Sequence, residues 1–401
     1  MKYWRGYLTA AIFAAITWAL TKMAERFETL MDMIYPYVTR MVQNMLVEWT
    51  SGVDFLLWQV LFVAIIALVL ATIVLMVVLK WNPFQWFGWV LAAASFIFML
   101  HTGLYGLNNY ASPLAEDIRL DTESGYTAAE LADAARYYRD KANALAPDMN
   151  RDESGDLVYP SFQELAEQAG GGFDYLVYER SFSVFAGSKA PVKELGWADF
   201  YSSSGITGVT MGITGEAAVN PQIPVVLLPF TMCHEMAHRM SIVNERDANF
   251  TGFLASRFNS SPEFQYSGYF MAYRYCYNAL VSLGTSSASA AAREISDGLC
   301  EQMRHDLDSC NAFFREKKSE TATKAMTTAN DTLIKATGND RGVESYDDVS
   351  DLLVRWYIQE IILPTQVVEE VVFDPLDETQ VDLSGIVNAR IPETTETTEE
   401  P

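Results

Sequence analysis

Two long uncharged runs near the N-terminus constrain this chain more than anything else in it. Residues 55–79 are dominated by Leu, Val, Ile and Ala and carry no charged side chain. As a helix, such a run is long enough to cross a hydrocarbon core of about 30 Å. After Lys80-Trp81-Asn82-Pro83 a second uncharged run covers residues 84–108, with Trp86 and Trp89 near one end and Tyr105 near the other, where interfacial aromatics sit. The two runs read as a tight helical hairpin. A shorter run, residues 6–21, lies between Lys2 and Arg5 on one side and Lys22 on the other, whose stems can snorkel to an interface. Its length also suits a signal peptide, but no small-x-small site followed by a polar start lies near Ala19 to Ala24, which favours a retained span. The expectation is three spans, at about 6–22, 55–79 and 84–107, in a multi-pass protein of the cell membrane with the lipid bilayer as a partner.

Half of the 401 residues are hydrophobic, yet the formal net charge is −23, so the two properties must be segregated along the chain. They are, because from Asn109 onward the sequence turns polar and acidic. With 28 Lys and Arg against 51 Asp and Glu there is no basic stripe for phosphate contacts, which argues against nucleic acid as a partner. The expected organisation is a membrane region over 1–108, a folded domain over 109–385 and an acidic tail over 386–401. That tail has too little apolar content to fold and is expected to be disordered.

Within the folded domain, Thr127 with Glu130 forms a capping box that leads into Leu131, Ala134, Ala135, Tyr138 and Ala142 at helical spacing. Ser161 with Glu164 opens a second helix in the same way. Between Gly172 and Pro229, the runs 175–178, 208–211 and 225–228 are set off by Gly and Pro and read as a small sheet. Helical patterns return over 264–283, 290–314 and 346–363, giving an α+β, helix-rich fold. The four cysteines, Cys233, Cys276, Cys300 and Cys310, have no zinc-ribbon spacing. Cys300 and Cys310 share a predicted helix, about 15 Å apart along it, too far for a bridge. Buried free thiols are expected.

The chemistry concentrates in His234-Glu235-Met236-Ala237-His238. Residues four apart on a helix share a face, so both imidazoles can hold one metal ion. Glu235, beside the first ligand, projects to the edge of that face, where its carboxylate can take a proton from water and hand it to a leaving amine. Only four histidines occur in the chain and two fall in this pattern, which argues against two ordinary solvated histidines on an amphipathic helix. His101, inside a span, and His305, beside Arg304, read as structural. A catalytic zinc (Zn2+) site needs a third protein ligand and an open position. The next acids are Glu245 and Asp247, about 200° apart round a helix, so both cannot face one metal.

The spacing Glu245-x-x-Ala248-Asn249 resembles the third-ligand helix of the gluzincin metallopeptidases. That resemblance implies Glu245 as the zinc ligand, with Asp247 as the alternative. It also implies that Asn249, in place of the usual aspartate, accepts a hydrogen bond from a histidine ring. In gluzincins the stretch before the motif helix, here 209–220, supplies an edge strand that pairs with extended substrate. Asn220 is then a candidate peptide contact, beside its plainer role as a turn residue before Pro221. Tyr266 and Tyr269 can offer a phenol to a developing oxyanion, though aromatic packing explains them better.

A wider resemblance runs from Tyr35-Pro36 to about Tyr357. It is carried by Tyr105-Gly106-Leu107-Asn108-Asn109-Tyr110, Gly205-Ile206-Thr207-Gly208, Thr214-Gly215-Glu216-Ala217-Ala218-Val219-Asn220, Leu228-Pro229-Phe230-Thr231 and Ala248-Asn249-Phe250. These segments are similar to the bacterial membrane family catalogued as domain of unknown function 3810. That family is regarded as gluzincin-like with an N-terminal membrane region, and its usual pattern Glu-x-Glu-Ala-Asn departs here at Asp247. Its loop between the second and third spans is often basic, which implies an extracytoplasmic peptidase domain. Lys80 is this chain's share of that charge. The resemblance implies a membrane-anchored zinc metallopeptidase acting on protein or peptide near the membrane surface. The alternative is a non-catalytic metal-binding sensor or scaffold, for which a closed four-ligand site would be expected and a free Glu235 would not.

Overall fold

The computed structural model describes residues 2–336 and 349–364. The expected acidic tail and the first residues of the predicted helix 346–363 lie outside the described residues. Three helices are long and apolar enough to cross a membrane: α1 (Arg5–Arg26), α4 (Leu57–Val78) and α5 (Pro83–Leu104). They mark the chain as a membrane protein.

Small residues set how the first and third of these meet. A Cβ on Gly6 would stand 2.4 Å from the carbonyl carbon of Gly88, so the two backbones touch there only because both residues are glycine. Phe13 packs on Phe96 with ring centroids 5.1 Å apart, and Leu20 reaches Gly103. These pairings rise together in residue number, so α1 and α5 run parallel. Nothing along α4 is buried, as its all-round apolar sequence predicts for a helix surrounded by lipid.

Between α1 and α4 the chain forms two helices that the hydrophobic runs did not announce, α2 (Glu28–Met33) and α3 (Tyr35–Thr50). α3 wedges between the spans and the rest of the protein. On one side Tyr35 Oη donates to the carbonyl of Gly103 at 2.8 Å, and on the other Gln43 Nε2 donates to that of Gly212 at 2.7 Å.

After α6 (Leu114–Asp117), both expected capping boxes are present, opening α7 (Ala128–Leu145) and α8 (Phe162–Gln168). Residues 175–178, read as a strand, instead lie in α9 (Gly171–Tyr178), and 225–228 form a 3-10 turn running into a helix. The sheet is therefore smaller and differently composed: β1 (Lys193–Glu194), β2 (Gly208–Met211) and β3 (Glu216–Val219), with α10 (Ala198–Ser204) between β1 and β2. The order is β1-β3-β2, with β1 parallel and β2 antiparallel to the central β3, pairing Gly208 with Val219 and Met211 with Glu216. β2 is an edge strand.

The remaining helices are α11 (Leu228–Arg239), α12 (Glu245–Arg257), α13 (Pro262–Ser282), α14 (Ser286–Asp297), α15 (Glu301–Lys317), α16 (Glu320–Ala336) and α17 (Val349–Tyr357). The predicted helix over 290–314 is thus two, broken at Gly298-Leu299-Cys300. The core gathers α11, α12 and α13 against α7 and α17, around Tyr138, Phe250, Phe253, Phe264, Phe270 and Trp356, all essentially inaccessible. Each such aromatic contributes roughly 1.5–3 kcal/mol by leaving water, so the helices that carry the candidate site are among the most firmly held.

The sheet is also tied to a span. Glu216, buried on β3, receives the N–H groups of Leu57 and Trp58 at 2.9 and 3.0 Å and the Lys193 ammonium at 2.8 Å. Its carboxylate caps the positive N-terminus of α4 while neutralised by a lysine. The start of α4 and the end of α5 consequently lie at the same end of the spans, against the folded domain. The N-terminus of α1 and the turn at Lys80 lie at the other.

Candidate metal centre

α11 begins with Pro229 in its first turn, where a missing N–H costs nothing. Ser267 of α13 accepts the orphan N–H of Phe230 at 3.0 Å. One turn further on, His234 and His238 stack on one face with ring centroids 4.6 Å apart and planes at 86°. The helix stops at Met240, and Ser241 takes a left-handed conformation (φ 71°) that reverses the chain. Asn244 caps the next helix by accepting from the N–H of Arg246 at 3.0 Å, which places Glu245 at the first position of α12.

That reversal brings Glu245 back over the two histidines. Its Oε2 lies 3.3 Å from His234 Nε2 and 3.5 Å from His238 Nε2, and the three ligand atoms all lie within 4.8 Å of one another. Asp247 points elsewhere, its Oδ2 accepting from the N–H of Leu114 at 3.0 Å and its Oδ1 from Arg246 Nε at 3.0 Å. Two positions along a helix put it on the far side, where it caps α6.

The donor set fits a divalent zinc-type ion. Two imidazole nitrogens and one carboxylate oxygen converge, and the second nitrogen of His238, Nδ1, is 2.8 Å from the carbonyl oxygen of Ile242. A carbonyl only accepts, so in the neutral ring Nδ1 carries the proton and the Nε2 lone pair is left for a metal. Burial would raise the Glu245 pKa, but the two imidazoles outweigh it and hold the carboxyl well below its usual range. Burial lowers that of His238, and the Glu245 carboxylate outweighs this and brings it up to about 9.

Asn249 does not fix a histidine ring. Its Oδ1 accepts from the hydroxyl of Tyr275 at 3.1 Å, while His234 Nδ1 is buried without a hydrogen-bond partner among the described residues. The ring that is pinned is His238, and a backbone carbonyl pins it.

Glu235 is buried with its side chain against β2. The hydroxyl of Thr210 donates to its Oε2 at 2.7 Å. Its Oε1 lies over Gly208, where a Cβ would stand 2.4 Å from that oxygen. Burial pushes the Glu235 pKa up, partly offset by the two histidines and Thr210.

Asn220 sits just past β3 and is fully buried. Its Nδ2 donates to Ser202 Oγ at 2.9 Å and its Oδ1 accepts from the N–H of Gln222 at 3.0 Å, so it builds the turn before Pro221 and faces no open groove. The strand beside the histidines is β2. Tyr266 donates to Asp306 and Tyr269 accepts from Arg257, both outside this site. His305 pairs with Asp156 at 2.8 Å.

A cleft of about 530 Å³ opens over the triad. Residues 207–211 form one side, and Trp58, His101 and Tyr105 from the ends of two apolar helices form another. Thr210 and these three aromatic residues were not legible as site residues. A hydroxyl in a four-residue strand carries no signal of its own, and an aromatic at the end of a span reads first as an interfacial anchor.

Fold and site together define a helix-rich membrane protein in which a His-His-Glu cluster lies beside an edge strand, close to the ends of its apolar helices. The chain belongs to the family described as protein of unknown function (DUF3810), whose model matches residues 31–354. No curated protein and no solved structure matches it.

Proposed function

We propose that this protein is a membrane-anchored zinc-dependent metallopeptidase of gluzincin type. The observation that carries the reading is the convergence of His234 Nε2, His238 Nε2 and Glu245 Oε2, with His238 held in the metal-binding tautomer by Ile242. A bound zinc would supply Lewis acidity, polarising a carbonyl and making water acidic enough to be deprotonated near neutrality.

The chain's own groups do the rest. Glu235, its pKa raised by burial, accepts the proton of the attacking water and returns it to the departing amine. Thr210 holds one carboxylate oxygen, which fixes the direction of the other. The outer edge of β2 offers backbone N–H and C=O groups to an extended polypeptide, which would run past Glu235.

In the proposed topology Lys2, Arg5 and Lys80 face the cytoplasm and the folded domain lies outside, as the family resemblance implies. Because Trp58, His101 and Tyr105 wall the cleft, the substrate is a protein or peptide segment close to the membrane surface. Glu235 favours this over a metal-binding sensor or scaffold, which has no use for a carboxylate beside an open position.

The test is cleavage of casein and of a broad peptide library by the purified full chain in detergent, with Glu235→Gln alongside. The proposal expects hydrolysis by the wild type and zinc retained without hydrolysis in the variant. Zinc bound by both and no cleavage by either would favour the sensor or scaffold.

A further inference from the structure

Two phenols line the cleft over the triad, those of Tyr201 and Tyr105. Tyr105, one residue past α5, lines the same space as His234, Glu235, His238 and Glu245. Its backbone is held on both sides: its N–H donates to the carbonyl of His101 at 3.0 Å, and its own carbonyl accepts from Asn108 N–H at 3.1 Å and from Asn108 Nδ2 at 2.8 Å. Asn108 is buried in turn, with its Oδ1 accepting from Thr39 of α3 at 3.0 Å.

The ring is fixed as well. It packs on Gly212, in the turn between β2 and β3, where a Cβ would stand 2.5 Å from Tyr105 Cγ. The His101 imidazole is also near it, with ring centroids 5.7 Å apart. The hydroxyl, by contrast, makes no hydrogen bond among the described residues. A tyrosine phenol carries its proton near neutrality, so this hydroxyl is available to donate. A rigid ring carrying an uncommitted donor into a cleft beside a metal triad is arranged for charge that develops only during a reaction.

We propose that Tyr105 donates a hydrogen bond to the carbonyl oxygen of the scissile peptide as that oxygen gains negative charge. This rests on the metallopeptidase reading above. In the addition step the water oxygen bonds to the carbonyl carbon, its proton passes to Glu235, and the C=O π pair moves onto the oxygen that Tyr105 contacts. In the second step the oxyanion pair re-forms the C=O bond, the C–N bond breaks with its electron pair going to nitrogen, and nitrogen takes the proton from Glu235. Tyr105 keeps its own proton throughout. The catalytic apparatus therefore includes the end of the third apolar helix.

The experiment is Tyr105→Phe in the full chain, purified in detergent and loaded with zinc. Phe keeps the ring on Gly212 and His101 and removes only the hydroxyl. The expected result, on a peptide that the wild type cleaves, is a kcat about 100-fold lower with KM and zinc content within about twofold. A phosphonamidate peptide, whose phosphoryl oxygens stand in for the developing oxyanion, is expected to bind the variant about 100-fold more weakly. Unchanged kcat and unchanged phosphonamidate affinity would overturn the role of Tyr105 and leave the peptidase reading standing. Loss of zinc or of folding in the Phe variant would also overturn it, because the hydroxyl would then have a structural partner. A wild type that binds zinc but cleaves nothing would remove the peptidase reading itself, and this inference with it.

Discussion

Arg40 Nε donates to the carbonyl oxygen of Met240 at 3.2 Å, across 200 positions of sequence. Its Nη1 donates to the carbonyl of Ser183 at 3.2 Å. Met240 ends the helix that carries both histidines, and Ile242, two residues on, holds His238. A cation from the segment between two apolar helices thus sits on the negative end of the helix that carries His234 and His238.

Arg40→Ala is expected to leave the buried Met240 carbonyl without its donor, while that of Ser183 keeps the N–H of Ala186, costing about 1–3 kcal/mol. It should also loosen the turn that presents the Ile242 carbonyl and weaken zinc binding about tenfold. Thermal melting in detergent and a zinc competition titration measure the two effects. A variant as stable and as tight as the wild type would show that α3 does not brace the site.

Glu245 and Asp247 are separable by what each holds. Glu245→Ala should abolish stoichiometric zinc binding. Asp247→Ala should keep the metal and lose about 1–2 kcal/mol, as the cap on Leu114 disappears. Metal analysis of the two purified variants decides, and the reverse pattern would reassign the third ligand.

A Cβ on Gly208 would stand 2.4 Å from Glu235 Oε1. Gly208→Ala should push that carboxylate off its position and lower kcat about 100-fold, with zinc retained, since a displacement near 1 Å costs that much. Wild-type turnover in this variant would mean that Glu235 does not act from where it stands.

All four cysteines are free. Cys233, Cys276 and Cys310 are buried, and burial pushes the thiols of Cys233 and Cys310 up to about 12 and raises that of Cys276 as well. Cys300, half-buried, is the only one open to solvent. Iodoacetamide labelling of the native protein, read by mass spectrometry, should modify Cys300 alone. Rapid labelling of Cys233 would contradict the packing of α11.

Much of this fold is local in origin, and that part was legible. The three apolar helices follow from length and hydropathy, and the two capping boxes from Thr127, Glu130, Ser161 and Glu164. The spacing of His234 and His238 requires only a helix. What escaped depends on long-range packing. Residues 175–178 have strand-like composition, yet they coil in α9 against α12, because a short apolar run takes the form its neighbours permit. α3 is amphipathic and short, and reads as a loop until its partners at Gly103, Gly212 and Met240 are known. Tyr266 lies nearer the motif in sequence than Tyr105 does, and sequence distance was no guide to which phenol lines the cleft. Only the fold turns one toward the cleft and the other toward Asp306.

The central claim is that His234, His238 and Glu245 hold zinc, and X-ray absorption at the zinc edge of the purified full chain tests it most directly. The account predicts one zinc per chain, in a shell of nitrogen and oxygen only, with the multiple-scattering signature of two imidazoles, lost in His234→Ala and in Glu245→Ala. A shell containing sulfur, or zinc content unchanged in both variants, would contradict it.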